Sequence, residues 1–264
     1  MEYQQNKKCL RIQGLKVDFK IAEEEVHAVR GVDLTVNKGR ITALVGESGS
    51  GKSVTSLAVM GLLRSNVLQI EGKIFVDEVE ISALKKKERQ KLNGCLLGMI
   101  FQDPVDSLNP LYTVGNQMIE GMMRHQKISS EQAREKAIYQ LKAVNLSNPE
   151  HLMKKYPFEL SGGMCQRVMI AIAMSLEPKY LIADEPTTAL DVTVQKQILS
   201  EIYRMCREKN VGVLFITHDL GVVAEVADDV YIMKNGTIVE SGDVFQIFQR
   251  PSSDYTKKLL NAIL

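Results

Sequence analysis

Four short apolar runs punctuate the chain: RITALVG from Arg40, LLGMIF from Leu96, YLIAD from Tyr180 and GVLFIT from Gly212. Apolar runs of this length, without alternation, predict strands buried on both faces, as in a parallel sheet. Three other stretches, CLRIQGLKVDF, VHAVRGVDLTV and EGKIFVDEVEI, alternate apolar and polar positions. They predict half-exposed antiparallel strands. After the second buried run the pattern turns polar and helical, as in SSEQAREKAIYQLKAV. That break predicts a helical subdomain of about 104–176 inserted in an α/β core of about 8–103 and 177–264. DDVYIMKNGTIVESG predicts two strands joined by an Asn235-Gly236 turn, then a closing helix to Leu264. No internal repeat or low-complexity segment interrupts this order, and the one linker candidate is NLSNPEH around Pro149.

Composition narrows the class. Apolar residues make up 45% and charged residues 25% of 264, the make-up of an ordinary globular protein. A formal charge of +1 gives no basic footprint for nucleic acid or anionic lipid. The KKKER run at Lys85 to Arg89 reads as a solvated face. Cys9, Cys95, Cys165 and Cys206 never form a C-x-x-C pair, which predicts reduced thiols in a cytosolic protein rather than a zinc site. The start MEYQQNKKCLRIQG lacks an apolar signal region, and no run approaches 18 apolar residues. Work at a membrane is therefore expected to pass through a partner.

The chemistry begins at GESGSGKS, Gly46 to Ser53, which fits G-x-x-x-x-G-K-[ST] between a predicted strand and a predicted helix. Glycines let successive backbone N–H groups face a phosphate, and a helix start adds about half a positive charge. Lys52 is then expected at the β- and γ-phosphates and Ser53 on Mg²⁺. YLIADEP ends a buried strand with two acids, at the edge where open α/β sheets take ligands. Asp184 is expected to hold Mg²⁺ through water, and Glu185 to orient or deprotonate an attacking water. Two more buried runs end in a polar side chain: Gln102 as a sensor of water and Mg²⁺, His218 as a donor to the γ-phosphate. Each is weak alone; four strands ending alike reinforce one another. LSGGMCQR, Leu160 to Arg167, places a capping Ser161 and two glycines ahead of a helix apolar almost all round. That makes a second anion cradle, or else a simple capping turn.

With these residues in view, the chain resembles the nucleotide-binding subunits of ABC transporters from about residue 10 to residue 260. GESGSGKS is similar to the Walker A motif, IFQD to the Q-loop, and LSGGMCQR to the signature motif. YLIADEP is similar to Walker B, TTALD (Thr187 to Asp191) to the D-loop, and THD to the switch-histidine loop. The resemblance implies an α/β fold, a P-loop NTPase (RecA-like) core with an antiparallel β subdomain and an inserted α-helical subdomain. It implies ATP and Mg²⁺, with nucleotide contacts at Phe19 (on adenine), Gly46, Glu47, Ser48, Gly49, Ser50, Gly51, Lys52, Ser53 and Val54. Catalysis falls to Glu185, His218 and Gln102, the metal to Ser53, Gln102 and Asp184, and the D-loop contact to Asp191. In this family two subunits face head to tail. Ser161, Gly162, Gly163 and Gln166 are thus implied to reach the ATP of the opposite subunit.

GESGSGKSVT, IFQDPVDSLNP, SGGMCQRVMIAIAM, HDLGVVAEVADDV and PSSDYTKKLL resemble one branch, the oligopeptide, dipeptide and nickel importers. That implies two transmembrane permease subunits, a second ATPase subunit (a paralogue or a copy) and an extracytoplasmic solute-binding protein. The place implied is the cytoplasmic face of the membrane, with peptide or nickel chelate as cargo. Many peptide-importer subunits continue into a cysteine-rich tail holding an iron–sulfur cluster; no cysteine follows Cys206, so that cluster is not expected. A soluble ABC-type ATPase acting on DNA or ribosomes is the competing class. The missing coiled-coil or zinc insertion, the single cassette and the near-zero charge count against it. A kinase or GTPase is opposed by LSGGMCQR and by the lack of an N-K-x-D loop.

Overall fold

A computed structural model describes residues 8–21, 24–63, 67–188 and 191–262. In chain order come β1 (Cys9–Ile21), β2 (Glu24–Asn37), β3 (Ile41–Val45), α1 (Lys52–Met60), β4 (Val67–Val76), β5 (Val79–Glu80) and α2 (Lys86–Leu92). Next are β6 (Leu97–Ile100), α3 (Pro104–Ser107), α4 (Val114–His125), α5 (Ser130–Ala143), α6 (Pro149–Leu152), α7 (Gly162–Ser175) and β7 (Tyr180–Asp184). Last are α8 (Val192–Glu208), β8 (Gly212–Thr217), α9 (Leu220–Val226), β9 (Asp229–Lys234), β10 (Thr237–Asp243), α10 (Val244–Gln249) and α11 (Asp254–Asn261). Contacts divide the chain into two compact units, Met1–Gln90 with Cys206–Leu264, and Lys91–Met205.

In the first unit the alternating stretches form an antiparallel sheet in the order β2-β1-β4-β5. The apolar runs behave differently. β3 lies parallel to both β8 and β9, and β10 returns antiparallel to β9. Every residue of β3 and β8 is buried, which is why neither alternates. Asn235 (φ 47°) and Gly236 (φ 82°) turn β9 into β10, both in the left-handed region that an Asn-Gly hairpin turn demands. One core cluster joins Ala43, Val45, Val223, Val230, Ile232 and Ile247, and Tyr255 and Leu259 of α11 pack against it.

The second unit pairs β6 with β7 in parallel and packs α4, α5 and α7 together. Ser129 and Gln132 close a reciprocal capping box at the start of α5. α7 buries Cys165, Val168, Met169, Ile170, Ala171, Ala173 and Met174, the outcome its all-round apolar sequence predicts. Within this unit α7 also packs on β6.

Three local expectations give way. The linker around Pro149 is instead α6, entered through Asn148 at φ 52° with Pro149 buried at its first turn. The closing helix is two helices. α10 ends before Pro251, which lacks an N–H and holds the residue ahead of it out of the helical region. The KKKER run faces solvent as expected except at Arg89, whose guanidinium donates to the Ala58 and Val59 carbonyls at the end of α1. Among the described residues, no helix is long and apolar enough to cross a membrane.

The turn between α10 and α11 is clasped by one carboxylate. Glu240 of β10 accepts from the Ser252 amide at 2.6 Å, the Ser252 hydroxyl at 2.7 Å and the Ser253 amide at 3.0 Å. Burial alone would raise its pKa, but the Thr256 side chain together with the Ser252 and Ser253 donors outweighs burial and brings it down to about 2. A depressed carboxyl contributes stability above its unfolded value near 4.5 and loses it as pH falls toward 2. Thermal melts of wild type and Glu240→Gln should therefore differ most above pH 4.5 and converge as the acid limit is approached. A gap between the two that stays constant with pH would refute the clasp.

Candidate active site

The phosphate loop belongs to the first unit. β3 delivers the chain to Gly46, and α1 begins six residues later at Lys52 with no side chain capping its start. A helix start of this kind is where an anion is best held. Two glycines are required by close approach. A Cβ on Gly46 would lie 2.2 Å from the Met233 carbonyl oxygen, and one on Gly51, at φ 105°, would lie 2.5 Å from that of Ala28. The hydroxyl oxygen of Ser50 is buried without a hydrogen-bond partner, a polar atom left for a ligand to satisfy. Lys52, 5% exposed, donates from Nζ to the Gly46 carbonyl at 2.8 Å and the Glu47 carbonyl at 2.9 Å. A buried ammonium is thereby held at the mouth of its own loop. Ser53 and Val54 sit half-buried in the first turn, and Glu47, Ser48 and Gly49 face solvent.

The same unit carries two other expected residues. Phe19, half-buried on β1, is paired across the sheet with Val26 and Val67. His218 is exposed just past β8, in a turn fixed by its neighbour. There the Asp219 carboxylate caps α9 by accepting from the Gly221 and Val222 amides at 2.8 and 3.2 Å.

The second unit brings the acids together. Asp184, 3% exposed, ends β7, and Glu185 follows at φ 47°, a left-handed conformation uncommon for a residue with a side chain. Its carboxylate accepts from the Gln102 amide at 3.4 Å and from the Thr188 hydroxyl at 2.9 Å. Gln102 and Glu185, separately expected, thus share one hydrogen bond. Thr188 was not singled out for that contact. Its signal lies in the spacing, because the Thr188 amide donates to the Glu185 carbonyl three residues back and the turn returns its hydroxyl to the acid. A strained acid held by two neutral donors keeps one aim, as a base directed at water requires. Asp191 caps α8, accepting from the Thr193 and Val194 amides at 3.0 Å each. The D-loop residues Ala189 and Leu190 lie outside the described residues.

Ser161 caps α7 by accepting from the Met164 amide at 3.4 Å, and Ser161 and Gly162 are exposed while Gly163 is half-buried. Space is open where a Cβ on Gly162 would stand. Gln166 points inward instead: it is 2% exposed and its amide donates to the Pro186 carbonyl.

Comparisons with known proteins agree on what these parts belong to. A family model described as ABC transporter matches residues 29–188. The oligopeptide transport ATP-binding protein AppD of Bacillus subtilis is 47% identical over 255 residues, 96% of this chain and 78% of that protein. The dipeptide transport ATP-binding protein DppD of the same organism is 46% identical, over 97% of this chain and 77% of that protein. Among solved structures, a dimeric ATP-binding cassette in a post-hydrolysis state with ADP and Pi superposes with a TM-score of 0.81 at 26% identity. The match covers 89% of this chain and 98% of that one. On these matches the chain belongs to the ABC transporter family, as an ATP-binding and ATP-hydrolysing cassette.

Proposed function

We propose that this chain is the ATPase subunit of an importer of oligopeptides or dipeptides, bound at the cytoplasmic face of the membrane to two permease subunits. The observation that carries the proposal is the 46–47% identity to AppD and DppD, which runs through nearly the whole chain rather than through the motifs alone.

The residues take their roles from their chemistry. ATP's phosphates meet the N–H groups of the Gly46–Gly51 loop, and Lys52 exchanges two carbonyl partners for phosphate oxygens, a stronger charge-assisted contact. Mg²⁺, when bound, would neutralise charge on the phosphates; the Ser53 hydroxyl of the first unit and the buried Asp184 carboxylate of the second are each hard oxygen donors of the kind it takes. The Gln102 side-chain oxygen is a donor of the same kind. Glu185 takes a proton from the attacking water while Gln102 and Thr188 hold its aim. His218 donates to the γ-phosphate, Phe19 stacks on adenine, and Asp191 faces the second subunit. Ser161, Gly162 and Gly163 serve the opposite subunit's ATP in a head-to-tail pair, where ATP holds two cradles together and hydrolysis releases them. A solute-binding protein outside the membrane delivers cargo to the permeases. Nucleic acid has no part.

Uptake of a labelled dipeptide and tripeptide by cells carrying Lys52→Ala tests the proposal. Uptake should be abolished, and the wild-type chain should co-purify with hydrophobic permease subunits. Unchanged peptide uptake, or loss of nickel uptake alone, would reject peptide cargo.

A further inference from the structure

The phosphate loop is also held from outside itself. The Gly46–Glu47 peptide is gripped on both sides. Its carbonyl accepts from Lys52 Nζ at 2.8 Å, and its N–H donates to the Tyr255 hydroxyl at 3.4 Å. A trans peptide is planar with C=O and N–H pointing in opposite directions, so two contacts select one rotational state. Tyr255 does not arrive there loosely. Its ring packs against the cluster that includes Val45 and Ile232, and the Lys234 ammonium sits 4.5 Å from the ring centroid. The Glu240 clasp fixes the turn immediately ahead of α11. Three independent contacts thus anchor the element that presents one hydroxyl to one backbone amide.

We infer that Tyr255 is a positioning residue for ATP binding, whose hydroxyl holds the Gly46–Glu47 peptide with its carbonyl turned toward Lys52 and away from the anion cradle. Rotation of that peptide would swing a partial negative charge toward the phosphates in a loop that works by presenting N–H groups. The crowding of Gly46 against the Met233 carbonyl leaves little room for another adjustment of the loop. This inference rests on the loop being the ATP site, and its test separates the two.

Tyr255→Phe keeps the ring, its packing and the Lys234 contact, and removes only the hydroxyl. In the purified full chain, titration with a fluorescent ATP analogue should show a Kd raised about two-fold to ten-fold, the worth of one hydrogen bond. KM for ATP should rise in step while kcat stays at the wild-type value. An unchanged Kd, or a fall in kcat and midpoint with KM unmoved, would overturn the positioning role. Lys52→Ala is the control. If it binds the analogue as tightly as wild type, the reading of the loop fails. If it binds weakly while Tyr255→Phe matches wild type, only the role of Tyr255 fails.

Discussion

Glu185→Gln should slow ATP hydrolysis by about 10²–10⁴-fold, the contribution of a positioned general base, while leaving ATP bound. The amide is nearly isosteric and its oxygen still accepts from Thr188 and Gln102, so the strained turn at φ 47° keeps its supports. What is lost is the negative charge that draws the proton from water. ATP then stays between paired subunits, and the variant should migrate as a dimer in ATP and as a monomer without it. Phosphate release and size-exclusion chromatography read the two effects. Rapid turnover by this variant would remove Glu185 from the chemistry.

Ser161→Arg should abolish hydrolysis by a different route. Ser161 and Gly162 are exposed at the start of α7 with open space beside Gly162, where the proposed pairing would seat the opposite subunit's phosphates. A long side chain fills that space, so the expected loss is on the order of 10²–10³-fold, as when a preorganised donor is removed from a reacting centre. The loop at Gly46–Gly51 is untouched in sequence, so a single subunit should still bind ATP. Removing the Ser161 cap costs roughly 1 kcal/mol of helix stability, which a melting curve separates from the catalytic loss. Normal hydrolysis in this variant would place the signature segment outside the active site.

Much of this architecture is legible in the chain itself, and the physical reason is locality. Five- and six-residue apolar runs become β3, β7 and β8 because a doubly covered strand has no polar face to alternate. Gly46–Ser53 and Ser161–Gly163 were legible because a helix start announces itself within a few residues. The failures are of two kinds. Pro149 and Pro251 are both breakers in sequence, yet one sits in the first turn of a helix, where no N–H is needed, and the other falls just past a helix end and divides two. The contacts of Tyr255 with Glu47, 208 residues apart, and of Gln102 with Glu185, 83 apart, depend on tertiary register that no local pattern carries. Gln166 is an intermediate case. It shares the helical face of Met169, Ile170 and Ala173, so its burial is present in the spacing, although the motif that holds it implies a nucleotide contact.

That buried glutamine has a mechanical consequence. Its amide clasps the Pro186 carbonyl, one residue beyond Glu185, from the first turns of the helix that Ser161 caps. In a head-to-tail pair, α7 would feel the partner's nucleotide while Glu185 acts on the subunit's own. A tilt of α7 by a fraction of an ångström pulls on the backbone that sets the acid's aim. On the proposed pairing, movement at the start of α7 would be passed to the acid through that single bond.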